Sequence, residues 1–194
     1  MSNLKIGLTI LTYFIAAVPF GLLVAKAKGV NLRAIGSGNI GATNVYRALG
    51  AKFGSLVLIL DALKGGIPTY ISQIIAPEPG FHICIALIAV IAHSLSCFVK
   101  FKGGKGVASG LGVIVALNPM IGGILVVIAG ALIYKTRYVA LTSIVCSMLT
   151  PLLFYFLNSP KEYTIMMGLI GLFIIIRHRS NIVRLINGTH FFRK

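Results

Sequence analysis

Long apolar stretches whose flanking positive charge falls on one side constrain this chain more than anything else in it. The stretches run at about 4–24, 53–75, 81–99, 107–134, 138–157 and 162–177. Of the 18 Lys and Arg residues, all but Lys5, Lys64 and Lys161 lie at 26–52, 100–105, 135–137 and 177–194. The intervening turns carry Pro77-Glu78-Pro79-Gly80 and Asn158-Ser159-Pro160-Lys161-Glu162, with almost no positive charge. In a chain that is 57% hydrophobic and 11% charged, segments of this length belong in a bilayer. The excess of Lys and Arg marks the cytoplasmic side.

The stretch at 107–134 does not fit a single crossing. As one helix it would be about 42 Å long, and it would put the basic clusters at 100–105 and 135–137 on opposite sides of the membrane. Asn118-Pro119 interrupts it, because proline removes a donor and disfavours helix in the residue before it. A hairpin turning at Asn118-Pro119 keeps both clusters inside. The expected fold is therefore an all-α integral membrane protein forming a single domain, 1–194. It has seven helices, the N-terminus outside and the C-terminus cytoplasmic, with helices 4 and 5 short or re-entrant. Gly110, Gly112, Gly122, Gly123 and Gly130, with Gly168 and Gly171 on the last helix, are expected at close helix contacts. The first apolar run lacks a small-residue cleavage site and reads as a retained helix.

A net charge of +15 suits nucleic acid in a soluble protein. Here the charge sits in short juxtamembrane loops, so anionic lipids and phosphorylated ligands are the expected partners and nucleic acid is not. Cys84, Cys97 and Cys146 show no C-x-x-C spacing and read as small apolar residues, with no metal site.

Three polar motifs fall on the basic side. Gly36-Ser37-Gly38-Asn39-Ile40-Gly41-Ala42-Thr43-Asn44-Val45-Tyr46-Arg47 contains G-x-G-x-x-G, yet no βαβ unit surrounds it, so a dinucleotide site is excluded by context. Its glycines can bring backbone N–H groups to an anion. Ser37, Asn39, Thr43 and Asn44 add neutral donors, and Arg47 can grip phosphate bidentately. A flexible solvated loop is the plainer reading. Gly103-Gly104-Lys105-Gly106 lacks the spacing of a nucleotide P-loop. It is a glycine turn around a lysine that feeds a helix start, which favours phosphate through unpaired amides and the helix dipole. In the third motif, Arg177-His178-Arg179-Ser180-Asn181, His178 and Asn181 share a face if the helix continues. Between two arginines the His178 imidazole is expected to be neutral and able to accept a proton.

Asp61 and Lys64 sit three apart inside the second stretch, where charge is costly unless paired or hydrated. They are either a structural ion pair or the lining of a wet groove. Thr142 and Ser143 lie about a turn into the fifth stretch, the sixth expected helix, near enough to the basic side to offer a hydroxyl. The chain has only three acids, Asp61, Glu78 and Glu162. No His is followed by Asp after four intervening residues, so a carboxylate-assisted triad or carboxylate metal site on the basic side is nearly excluded.

Through Gly36-Ser37-Gly38-Asn39, Asp61-Ala62-Leu63-Lys64-Gly65, Gly103-Gly104-Lys105-Gly106 and His178-Arg179-Ser180-Asn181-Ile182, the chain resembles the bacterial PlsY family, integral-membrane glycerol-3-phosphate acyltransferases. The resemblance runs the length of the chain in order and spacing. It implies seven helices and transfer of an acyl chain from acyl phosphate to the primary hydroxyl of glycerol 3-phosphate, giving lysophosphatidic acid and inorganic phosphate. It also implies no cofactor and no direct use of acyl-CoA or acyl carrier protein. Location would be the bacterial inner membrane with the site on the cytoplasmic face, and the protein is expected to act as a monomer. The chain departs from the family pattern at Ala92-His93-Ser94-Leu95, where Gly-His is usual, at Ser109, and at Gly188-Thr189-His190, where Gly-Thr-Glu is frequent.

On this reading His178 is the base or orienter and Asn181 holds the nucleophile or oxyanion. Ser37, Gly38, Asn39, Gly41, Thr43, Asn44, Arg47, Lys64, Gly103, Gly104, Lys105, Gly106 and Ser143 bind substrate or phosphate, with Asp61 and His93 in support. A rival mechanism uses the substrate's own phosphate as base, its second pKa being about 6. From a different class, a transporter of phosphorylated solutes would call for pseudosymmetric repeats and a midplane site. No repeat is visible, and Asp61/Lys64 is the one feature in its favour.

Overall fold

In the computed structural model, which describes residues 2–189, every regular element among the described residues is helical. In chain order these are α1 (Ser2–Ala17), α2 (Phe20–Ala27), α3 (Ala42–Leu49), α4 (Ala51–Ile75), α5 (Pro79–Ser94), α6 (Val107–Leu117), α7 (Pro119–Thr136), α8 (Val139–Phe156), α9 (Lys161–Arg177) and α10 (Arg179–Ile186). Single 3-10 turns occupy Leu32–Ala34 and Cys97–Val99. His190, Arg193 and Lys194 of the basic C-terminal segment lie outside the described residues.

The first apolar stretch is two helices rather than one. Pro19 has no N–H to give the preceding turn and disfavours helix at Val18, so α1 ends at Ala17 and α2 departs at 40°. Side chains from elsewhere take up the carbonyls left at the break. Ser96 Oγ donates to Ala17 O at 2.6 Å, and Lys64 Nζ donates to Val18 O at 2.7 Å. Such an interruption at membrane depth is tolerated because it is covered by protein.

Asn118 and Pro119 divide the fourth stretch as their chemistry requires. Asn118 Oδ1 accepts the Ile121 N–H at 3.1 Å and Pro119 takes the first helical position. Of the two expected short helices only the first is short. The α6 helix has 11 residues, whereas α7 has 18 and is long and apolar enough to cross. The difference arises because α7 starts at the proline itself and runs on to Thr136. By length and composition α4, the span Pro79–Val99, α7 and α8 also meet that test, and the bent α1–α2 pair makes a fifth.

The chain divides into two compact units at Leu117/Asn118. In the first, α4 is the central helix, and α6 crosses it along a seam of small residues. A Cβ added to Gly66 would fall 2.8 Å from Gly112 O, and one added to Gly112 would land on Ala62 O. Ser109 Oγ donates to Asp61 O across the same seam at 2.9 Å. In the second unit α8 packs on α9, where a Cβ on Gly171 would come within 2.6 Å of Ser147 O. Gly123, Gly130 and Gly168 meet nothing within 4 Å, so the expected close contact is not their role. Leu4, Ile10 and Phe14 on α1, Ile59, Ile67 and Ile74 on α4, and Ile165, Leu169 and Leu172 on α9 are exposed, an apolar surface of the kind that membrane hydrocarbon covers.

Candidate functional site

The first glycine motif is an ordered structure. Leu32, Ile40 and Val45 are buried with Ala25 of α2 and Val57 of α4, the Leu, Ile and Val side chains each worth roughly 1.5–3 kcal/mol over exposure. That small core pins both ends of the segment. The buried Asn44 then organises its interior. Its Nδ2 donates to Leu32 O and Ile35 O, both at 3.0 Å, and its Oδ1 accepts the Ser37 N–H at 3.2 Å. Asn44 was expected among the phosphate donors. The structure turns its amide inward and spends it on the loop's own backbone.

Around that amide the chain turns through positive φ at Gly36 (57°) and Gly38 (67°). A Cβ on Gly36 would fall 2.6 Å from Asn44 Oδ1 and 3.6 Å from Arg47 Cδ, so the Arg47 stem passes beside this turn. The Asn39 N–H points at Ser37 Oγ, 3.4 Å away. Gly41 opens α3, an element the sequence had hidden inside a loop, and Ala42 and Thr43 contribute its first amides. Ser37, Gly38, Asn39, Gly41 and Thr43 are thus brought together at partly exposed positions, with the exposed Arg47 beside them.

The Lys105 turn is built on the end of α5. The Gly103 N–H donates to Ser94 O at 2.9 Å and the Gly104 N–H to His93 O at 3.2 Å. Side chains are excluded here, since a Cβ on Gly103 would strike His93 O and one on Gly104 would strike the His93 ring at Nε2. Gly106, at φ 87°, turns the chain into α6. A residue counted in the sequence only as topogenic charge joins the two motifs: Arg33 donates from its guanidinium to Lys102 O at 2.9 Å. The two glycine-rich segments are therefore neighbours within one unit.

Asp61 and Lys64 are both buried, with Lys64 Nζ 2.8 Å from Asp61 Oδ1. The same ammonium caps Val18 O and lies 5.5 Å from the Phe20 ring centroid. Of the two readings open in the sequence, the geometry describes an ion pair committed to the α1–α2 break. Lys64 was also placed among the phosphate ligands, whereas its charge is directed into the protein.

In the second unit α9 and α10 meet at His178, which is 3% exposed. Its Nδ1 lies 2.8 Å from Ile174 O. A carbonyl only accepts, so Nδ1 carries a proton, and in the neutral ring Nε2 is the nitrogen able to accept one. The Asn181 N–H donates to His178 O at 2.8 Å, which carries the helical path past the junction. Tyr138, not singled out in the sequence, donates from its hydroxyl to Asn181 O at 3.1 Å and holds that turn. It immediately precedes α8 and follows Arg137 at positive φ, a placement that no motif in the sequence signals. Ser143 Oγ donates to Val139 O at 2.9 Å, and Thr142 Oγ1 to Tyr138 O at 3.3 Å. Among the described residues no three His, Cys, Asp or Glu side chains gather at a metal-sized site.

The family model for glycerol-3-phosphate acyltransferase matches residues 6–188. A glycerol-3-phosphate acyltransferase from Fusobacterium nucleatum is 46% identical over 181 residues, 93% of each chain. One from Aquifex aeolicus is 43% identical over 183 residues, 93% of this chain and 95% of that one. Among solved structures, the fold is similar to the glycerol 3-phosphate form of PlsY (YgiH), an integral membrane glycerol 3-phosphate acyltransferase. That chain has a TM-score of 0.95 and 39% identity, with 98% of this chain and 96% of that one covered. The lysophosphatidic acid form gives 0.92 at 38% identity, covering 98% and 95%.

Proposed function

The chain belongs to the glycerol-3-phosphate acyltransferase family of integral membrane proteins and is an acyltransferase of phospholipid synthesis; from that premise we propose the donor, the topology and the residues of its reaction. The donor is an acyl phosphate and the acceptor is the primary hydroxyl of glycerol 3-phosphate. Both carry phosphate, and the observation that supports this pairing is the junction of two glycine-rich segments through Arg33 and Lys102 O. Ser37, Gly38, Asn39, Gly41, Thr43 and Arg47 receive one phosphate, and Gly103, Gly104, Lys105 and Gly106 the other. Ser143 supplies a further hydroxyl contact. Asn44 and Lys64 are reassigned to holding the structure.

In the reaction the glycerol hydroxyl oxygen bonds to the acyl carbonyl carbon, and the bond from that carbon to the phosphate oxygen breaks. The electron pair leaves with inorganic phosphate, and the hydroxyl proton passes to His178 Nε2. The Nδ1–H···O contact to Ile174 supports this role, because it fixes the tautomer that can accept there. Asn181 orients the nucleophile or steadies the developing oxyanion. No cofactor takes part, and the protein works as a monomer in the bacterial inner membrane. Seven helical segments, the α1–α2 pair and α4 through α9 with α6 and α7 forming a hairpin that enters from and returns to the cytoplasmic side, put both glycine-rich segments, His178 and the C-terminus on the cytoplasmic face, with the N-terminus outside.

The deciding experiment supplies purified protein with palmitoyl phosphate, with and without glycerol 3-phosphate. Phosphate release that depends on glycerol 3-phosphate and matches lysophosphatidic acid formation mole for mole is expected. Folded protein that acylates glycerol 3-phosphate only from acyl-CoA would overturn the choice of donor.

A further inference from the structure

We infer that His93 is a positioning residue for the phosphate turn: its imidazole is the surface against which Gly104 is seated, and Asp61 holds the two ends of that turn in register. The inference deepens the assignment of residues 103–106 to phosphate binding and rests on that assignment for its catalytic consequence.

Four observations lead to it. The turn leans on the end of α5, since the Gly103 and Gly104 N–H groups donate to the carbonyls of Ser94 and His93. His93 is 6% exposed, and its ring lies so close to Gly104 that a single methyl group there would overlap Nε2. The other ring nitrogen, Nδ1, is 3.7 Å from Asp61 Oδ1. Asp61 also reaches the far side of the turn, because its backbone oxygen accepts the Ser109 hydroxyl at 2.9 Å, in the first turn of α6. One residue of α4 thus faces the histidine before the glycines and grips the serine after them.

Asp61 is itself fixed from behind by Lys64, which is anchored on Val18 O. A buried line of contacts therefore runs from the α1–α2 break through Lys64, Asp61 and His93 to Gly104, the neighbour of Lys105. Packing alone would be served by any apolar side chain at position 93. An imidazole fits with one nitrogen 3.7 Å from a carboxylate, an electrostatic contact longer than a hydrogen bond, and the other against a glycine backbone. A displacement of the turn of about 1 Å would cost on the order of 10²-fold in rate.

The test is a double-substitution cycle on His93 and Gly104, measuring kcat and KM for each substrate in detergent-purified protein. His93→Ala is expected to lower kcat/KM by 10- to 100-fold, on the order set by such a displacement. Gly104→Ala is expected to lose at least as much, and His93→Ala/Gly104→Ala to be no worse than Gly104→Ala alone, because the methyl group then occupies the space the ring has left. His93→Gln, whose amide reaches toward the Nε2 position, is expected to recover most of the loss. Independent, multiplicative losses would overturn the inference, as would a folded His93→Ala protein with wild-type kcat/KM. Should His93→Ala not yield folded protein, His93→Asn takes its place in the same cycle and is judged by the same non-additivity. Hydrogen exchange at 103–108 provides a readout free of turnover. Faster exchange there in the His93 variants is expected even if the parent protein proves not to use acyl phosphate. Unchanged exchange would overturn the positioning role and leave the acyltransferase assignment untouched.

Discussion

At the scale of single residues, the polar side chains divide by the direction in which they spend their hydrogen bonds. Asn44 lies in the middle of a donor-rich motif, and its type and spacing are those of a phosphate ligand; the three bonds it makes to Leu32, Ile35 and Ser37 are visible only in three dimensions. His178 is the opposite case. The contact from its Nδ1 to Ile174 O follows from its position one turn after Ile174 at the end of α9, and it fixes the proton on Nδ1. His178→Ala is expected to lower kcat by about 10²–10⁴-fold with little change in KM for either substrate. Stopped-flow phosphate release would check this, and a loss below tenfold would transfer the base role to the substrate phosphate. The residue types of the candidate site were therefore legible in the sequence, but their division into ligands and supports was not. Two residues were missed altogether. Arg33 looked like one more cytoplasmic charge, and Tyr138 carries no motif, because each acts through a backbone carbonyl remote in sequence, Lys102 O for the first and Asn181 O for the second.

At the scale of elements, proline was a dependable guide at Asn118-Pro119 and a poorer one at Val18-Pro19. Asn118-Pro119 is a helix start written in the sequence, with both cap and first-turn residue present. Val18-Pro19 has no capping side chain of its own, so apolar continuity concealed the break. What makes that break tolerable is Lys64, contributed from α4. Lys64→Met is accordingly expected to destabilise the protein by roughly 3–5 kcal/mol, because it strands a buried Asp61 carboxylate without its counter-charge. The double variant Asp61→Asn/Lys64→Met should recover part of that loss, measured by thermal unfolding in detergent. Equal destabilisation in the single and double variants would mean that the pair is not the source of the effect. The short amphipathic helices α3 and α10 were obscured for a related reason: neither is apolar enough to register as a span, and both border glycine- or arginine-rich segments that read as loops.

At the scale of the whole molecule, the all-helical membrane fold follows from hydropathy and proline alone, and charge placement adds the proposed orientation. That orientation is open to direct labelling. With the three native cysteines replaced, a single cysteine at Ser159 should react with a membrane-impermeant maleimide added to intact cells, and one at Lys102 only after permeabilisation. The reverse pattern would invert the topology. On the proposed outer side, Lys5 Nζ and Glu78 Oε2 pair at 3.0 Å between the start of α1 and the turn before α5. The hydrogen bond from Lys5 holds the Glu78 carboxyl below its usual range. Because the folded value is the lower one, the pair's contribution is complete above the unfolded carboxylate value of about 4.3 and fades as pH falls through the folded one. The Tm gap between wild type and Glu78→Gln should therefore be small but present at neutral pH and should close in acid. A gap that widens in acid would contradict the assignment. The seam between α4 and α6 bears on traffic through the membrane. At Gly112 and Ala62 the two backbones leave no room for one methyl group, so a methylene chain cannot pass between them. At that crossing the two helices form a closed fence to lipid, and the proposed acyl phosphate would have to enter elsewhere than between them at that point.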